Sequence, residues 1–123
     1  MYNEKIREHY ESPRNAGTIA DASGKAVVRS AFDSDTVQIT LRIENGVIAD
    51  VKFKCMGCAV AIACASAATE IVMAQPVEVA YEISKSQVAD FLGGIPEQKM
   101  QCSNLAPEAI RQAIDHYRSA LSN

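Results

Sequence analysis

Between Thr36 and Lys54 the sequence alternates in a way that one arrangement satisfies. Val37, Ile39, Leu41 and Ile43 are interleaved with Thr36, Gln38, Thr40 and Arg42, the period-two pattern of a strand with one buried face. Glu44-Asn45-Gly46 follows, and Asn-Gly supplies the positive φ angles that a two-residue hairpin turn requires. Val47, Ala49, Val51 and Phe53 then alternate with Ile48, Asp50, Lys52 and Lys54. Ala26 to Phe32 is β-prone and adds a strand ahead of the hairpin. The result is an antiparallel meander with one apolar face that must be covered.

The flanking segments provide the cover. Tyr2, Ile6, His9 and Tyr10 fall on one face of a short N-terminal helix, which Ser12-Pro13-Arg14-Asn15-Ala16-Gly17 breaks. Thr18 to Lys25 reads as a loop. Cys58 to Ala74 is an alanine-rich helix stopped by Pro76, and Val77 to Ile83 is helical or a turn. Ser86 to Leu92 is a short helix with Ser86 as its N-cap and Gly93-Gly94 as its stop. Ile95 to Gln101 is a polar connection. Leu105, Ala109, Ile110, Ala113, Ile114, Tyr117 and Leu121 form the apolar stripe of a final helix that tolerates Pro107 in its first turn. Strands followed by helices predict an α+β fold, a three-stranded antiparallel sheet covered on one face by helices, in a single domain spanning residues 1–123.

Composition narrows the function. Lys and Arg number 12 against 15 Asp and Glu, a net charge of −3, which argues against a nucleic-acid binder. No apolar run reaches the length of a membrane span, and the N-terminus lacks the apolar core of a secretory signal. A cytoplasmic, reducing environment is therefore expected, with thiols that are free or metal-bound. Nineteen alanines and no Trp predict a thin core.

The four cysteines carry the chemistry. Cys55-Met56-Gly57-Cys58 joins a strand to a helix. A thiol at a helix start sits near unpaired backbone N–H groups and the positive end of the helix dipole, an environment that favours thiolate. The spacing alone fits a metal half-site, a dithiol redox pair or two incidental thiols. A thioredoxin-like pair belongs in a βαβ setting, which the meander does not provide. Cys102 precedes the last helix and repeats the placement of Cys58, so two helices could bring two thiols to one end of the sheet. Cys64 lies six residues beyond Cys58, about 240° around the helix, and reads as core packing. Asp33-Ser34-Asp35, at a sheet end, fits either a solvated turn or a source of oxygen ligands to iron or zinc. His9 and His116 read as surface or half-buried residues.

Three blocks in order resemble the U-type iron–sulfur cluster scaffold family, which comprises IscU and the N-terminal domain of NifU. They are His9-Tyr10-Glu11-Ser12-Pro13-Arg14-Asn15-Ala16-Gly17, the stretch from Phe53 through Cys58 to Ala63, and Gln101-Cys102-Ser103-Asn104-Leu105-Ala106. The resemblance spans nearly the whole chain and implies an IscU/SufE-like fold and a non-enzymatic scaffold. Such a scaffold accepts sulfur from a cysteine desulfurase, combines it with iron, and passes a cluster, of [2Fe–2S] type, to apo iron–sulfur recipient proteins. By position, Cys58 and Cys102 match the family's second and third cysteines, as metal ligands and sulfur acceptors, and Asp35 matches its aspartate. Asp33 stands where the first cysteine belongs. Either Asp33 or Cys55 would then replace that thiolate, or a homodimer would complete the ligand set. Gln101 replaces the usual histidine. Ile95-Pro96-Glu97-Gln98-Lys99 keeps only Pro96 and Lys99 of the chaperone-recognition stretch, which argues against delivery through an Hsp70-type chaperone. A zinc-bound sulfur acceptor without a working cluster is the second reading, and a Cys55/Cys58 dithiol oxidoreductase the third.

Overall fold

The computed structural model describes residues 2–31 and 34–121. The elements run α1 (Glu4–Glu11), β1 (Gly24–Arg29), β2 (Thr36–Glu44), β3 (Val47–Met56), α2 (Ala59–Val72), α3 (Val77–Tyr81), α4 (Lys85–Phe91), a 3-10 segment (Glu97–Asn104) and α5 (Leu105–Leu121). The strands form one antiparallel sheet in the order β1-β2-β3. Helices α2 and α5 pack on it, while α1 and α4 pack chiefly against α2 and the 3-10 segment. The fold is α+β, as the sequence implied.

The hairpin turn forms as expected, with Asn45 at φ 54° and Gly46 at φ 74°. The pairs Val37↔Cys55, Ile39↔Phe53 and Leu41↔Val51 set one face of the sheet. Near the turn the expected alternation fails. Arg42 pairs with Asp50 and Ile43 with Ile48, so Ala49 has no partner. This extra residue is a bulge, and it reverses which side chains point inward. Ile48 is fully buried and Ala49 exposed, the opposite of the simple period-two reading. β1 starts at Gly24 and ends at Arg29, so it begins and ends earlier than expected. β3 continues to Met56 and takes Cys55 into the strand.

Ten of the fourteen residues of α2 are buried, among them Ala61, Ala63, Ala65, Ala67 and Ala68. Small side chains let the sheet, α1, α4 and α5 approach this one helix from several directions. The alanines thus mark a central helix. Ile39, Leu41, Ile48, Ile110 and Ile114 supply the larger buried side chains, each worth roughly 1.5–3 kcal/mol of burial. The apolar stripe of α5 is buried from Leu105 to Ile114, but Leu121 is exposed.

Three local expectations are corrected or sharpened by the fold. The N-cap of α4 is Ser84, not Ser86: the Ser84 hydroxyl accepts from the Gln87 backbone N–H and the Gln87 side chain accepts from the Ser84 backbone N–H. The polar connection expected over Ile95 to Gln101 contains a 3-10 segment that begins at Glu97 and runs on to Asn104. His9 is buried, beyond the surface or half-buried position expected, because α1 lays it against α2. The second sheet face is crossed by a polar segment. There the Ile19 N–H donates to Thr40 Oγ1 at 3.0 Å, Gln38 Nε2 donates to Thr18 Oγ1 at 3.1 Å, and Arg42 pairs with Asp21.

Among the described residues no helix is long and apolar enough to cross a membrane.

Candidate metal centre

Three elements end at one corner of the sheet. Asp35 immediately precedes β2, and its backbone carbonyl accepts from the Ser30 N–H at 2.8 Å, tying the β1–β2 connection together. Cys58 is the N-cap of α2, with φ −74° and ψ 171°, and its side chain makes no capping bond. Cys102 lies within the 3-10 segment, where Ser103 Oγ donates to the Met100 carbonyl at 2.6 Å. Cys102 is therefore set by the turn leading into α5, not by the entrance of α5 itself.

These elements bring Asp35, Cys58 and Cys102 together. The two Sγ atoms are 3.9 Å apart. Asp35 Oδ2 lies 3.9 Å from Cys58 Sγ and 3.8 Å from Cys102 Sγ. Donors held about 2.3 Å from one tetrahedral ion stand about 3.8 Å from each other. The three atoms therefore outline one face of a single metal tetrahedron and leave one corner for a further ligand. Asp35 and Cys102 are buried and Cys58 is half-buried, so one side of the site opens to solvent. A bound cation would balance the negative charge that this donor set offers. Two soft sulfurs and one hard oxygen suit zinc or iron.

Among the described residues, Cys55, Cys64 and the histidines are not members of this cluster. Cys55 pairs with Val37 across the strands and forms part of the wall of an apolar hollow with Phe53, Met56 and Ile62. Burial first, then the Asp35 and Cys58 charges, push its thiol up to about 12. Cys64 is fully buried in the core and burial also pushes its thiol up, in keeping with a packing role. Asp33 lies outside the described residues. His116 is at the surface, its Nδ1 accepting from the Lys25 backbone N–H at 3.1 Å.

His9 belongs to a separate polar cluster. Its Nδ1 is 2.8 Å from Ser66 Oγ, and its Nε2 is 3.5 Å from Glu70 Oε1. Ser66 Oγ also accepts from the Arg14 backbone N–H at 2.9 Å. The serine hydrogen is thus free to donate to Nδ1, which leaves the ring proton on Nε2, facing Glu70. Burial and the nearby Arg14 charge hold the imidazole below its usual range.

Gly57 stands in the helix-entrance motif, but its close approach to Asp35 emerges only in the fold. A Cβ placed on it would come within 2.8 Å of both Cγ and Oδ1 of Asp35. A glycine directly before the helix-entrance cysteine was the available signal.

Residues 1–122 match the family described as the NifU-like N terminal domain. The chain belongs to this family. It is 44% identical over 119 residues to an iron–sulfur cluster assembly scaffold protein IscU of Archaeoglobus fulgidus, covering 96% of this chain and 78% of that protein. It is 39% identical over 118 residues to the IscU scaffold of Aquifex aeolicus, covering 94% and 75%. The fold is shared with the N-terminal part of a NifU-like protein from Brucella abortus at a TM-score of 0.75 and 19% identity, over 95% of this chain and 94% of that one. A protein from Fervidobacterium islandicum superposes at a TM-score of 0.77 and 18% identity, over 92% and 96%. In this NifU-like chain the three blocks that carried the resemblance are drawn into contact by the fold. The first pairs with the second through the Asn15, Gly17 and Phe53 backbones, and the second and third supply Cys58 and Cys102.

Proposed function

We propose that this chain is a scaffold on which an iron–sulfur cluster is assembled and from which it is passed on, binding its cargo and not turning it over as an enzyme. The observation that carries the reading is the triad of Cys58 Sγ, Cys102 Sγ and Asp35 Oδ2, mutually 3.8–3.9 Å apart. Relatives at 39–44% identity that are named cluster assembly scaffolds support it. In this reading Cys58 or Cys102 takes sulfane sulfur from a cysteine desulfurase as a persulfide, and an external two-electron donor reduces that sulfur to sulfide and frees the thiolate. Iron enters between the two thiolates and the carboxylate, and the cluster leaves for apo recipient proteins. A hard oxygen among soft sulfurs weakens retention relative to an all-thiolate site, which suits cargo that must depart. The half-buried Cys58 is the exposed side through which cargo arrives and leaves. Anaerobic reconstitution with iron, sulfide and a desulfurase should give a chromophore that Cys58→Ser or Cys102→Ser removes. A colourless wild-type product would overturn the reading.

One feature favours zinc as an alternative occupant. The three donors are spaced for one ion, whereas a two-iron cluster spreads its four protein ligands over two metals. Metal analysis of protein purified without oxygen separates the two. Stoichiometric zinc that iron and sulfide fail to displace would point to a zinc-bound sulfur acceptor.

A further inference from the structure

Six glycines occur in the sequence. Gly17, Gly46, Gly93 and Gly94 have positive φ, a backbone conformation that side chains rarely adopt. Gly24 and Gly57 do not, so backbone conformation explains neither. Gly24 is accounted for by helix packing, since a Cβ there would lie 2.2 Å from the Ala113 carbonyl oxygen on α5. At Gly57 the nearest obstacles are Asp35 Cγ and Oδ1, both at 2.8 Å, with the Ala61 Cβ next at 3.2 Å. Real Cβ atoms essentially never approach so closely. The obstacle is therefore the carboxylate of the triad.

We propose that Gly57 is a positioning residue for the metal centre, its bare Cα being what allows the Asp35 carboxylate to stand against Cys58 and Cys102. The inference rests on the proposed metal-binding role for its functional consequence, while its geometric content stands on the apo protein alone. A methyl group at position 57 cannot coexist with the carboxylate in its present place. Asp35 has a short side chain, so it yields by rotating away from the sulfurs. Both thiols stay where α2 and the 3-10 segment hold them. The site then changes from two sulfurs and one oxygen to two sulfurs with solvent.

Gly57→Ala separates these consequences. In a crystal structure of the apo variant, the Asp35 carboxylate should lie beyond contact distance of both sulfurs. A carboxylate still in contact with Cys58 and Cys102 would overturn the proposal, whatever the protein binds. In a cobalt(II) titration, Gly57→Ala should bind about 10- to 100-fold more weakly than wild type, the loss typical when a ligand loses its support. The sulfur-to-cobalt charge-transfer intensity per ion should be unchanged, because both thiolates remain. Adding Gly57→Ala to Asp35→Ala should cost no further affinity, and a full additive loss would show that Gly57 acts independently of the carboxylate. If Gly57→Ala folds poorly, Asp35→Ala should restore its melting midpoint by removing the clashing group. A double variant no more stable than Gly57→Ala alone would overturn the proposal. If wild type takes up no cobalt while the carboxylate is still displaced in the apo variant, the metal reading fails and the positioning role survives.

Discussion

Cys58 Sγ and Cys102 Sγ stand 3.9 Å apart although 44 residues separate them in the chain. One is fixed by the N-terminus of α2 and the other by the 3-10 segment ahead of α5, so a metal held between them braces two helical elements against β2. Metal binding is then linked to folding. With free zinc at a hundred times its Kd, the linkage contributes about 2.7 kcal/mol, or roughly 10 °C in Tm for a chain of this size. Thermal melts with and without zinc should show this rise in wild type, and Cys58→Ser and Cys102→Ser should each remove most of it. An unchanged wild-type midpoint would rule out the linkage.

Cys55 is the nearer neighbour of Cys58 in sequence, yet it lies outside the triad. Its thiol is pushed up to about 12, mainly by burial. At pH 8 about one molecule in ten thousand then carries the thiolate, the form that reacts with alkylating agents. Brief iodoacetamide treatment of native apo protein, followed by peptide mass spectrometry, should leave Cys55 and the fully buried Cys64 unlabelled, and both should label after unfolding. Cys55→Ser should retain zinc binding within a few-fold of wild type. Loss of binding comparable to that in Cys58→Ser would make Cys55 the fourth ligand.

How far the sequence reaches can be judged from these same residues. Alternation from Val37 to Ile43 and the Asn45-Gly46 turn settle the hairpin locally, because period two and positive φ are properties of neighbouring residues. The bulge at Ala49 is not local. It depends on strand pairing near the turn, so Ile48 and Ala49 exchanged faces relative to expectation. The convergence of Cys58 and Cys102 was legible in helix placement and family motif, and Asp35 in its place at a sheet end as well as in the motif. What Gly57 and His9 touch was not, although both stand within the blocks that carried the resemblance. Their roles lie in what they touch across the fold, the Asp35 carboxylate in one case and Ser66 in the other.

The cap of α4 offers a direct test of a local correction. Ser84 and Gln87 form a reciprocal pair of hydrogen bonds at the helix start. Replacing an N-cap serine by alanine costs about 0.5–2 kcal/mol. Ser84→Ala should therefore lower the denaturation midpoint measurably, while Ser86→Ala should leave it within about 0.5 kcal/mol of wild type, as expected for an exposed position with no special role. Equal effects from the two substitutions would contradict the assigned cap.

His9 makes stability depend on pH, and the sign follows from its surroundings. Burial is the largest influence and Arg14 the next, and both hold the imidazole below its ordinary value of 6.5. The folded chain thus binds its proton less readily than the unfolded chain. The neutral-histidine contribution is fully present above about pH 6.5 and is lost as pH falls through that value toward the lower folded one. Hydrogen bonding points the same way, since Ser66 Oγ already accepts from Arg14 and donates best to an unprotonated Nδ1. Denaturation midpoints measured from pH 8 to pH 5 should decline on the acid side of about pH 6.5. His9→Asn, whose side-chain oxygen can take the place of Nδ1, should flatten that decline while lowering stability at pH 8. An identical slope in both proteins would assign the acid sensitivity to other groups.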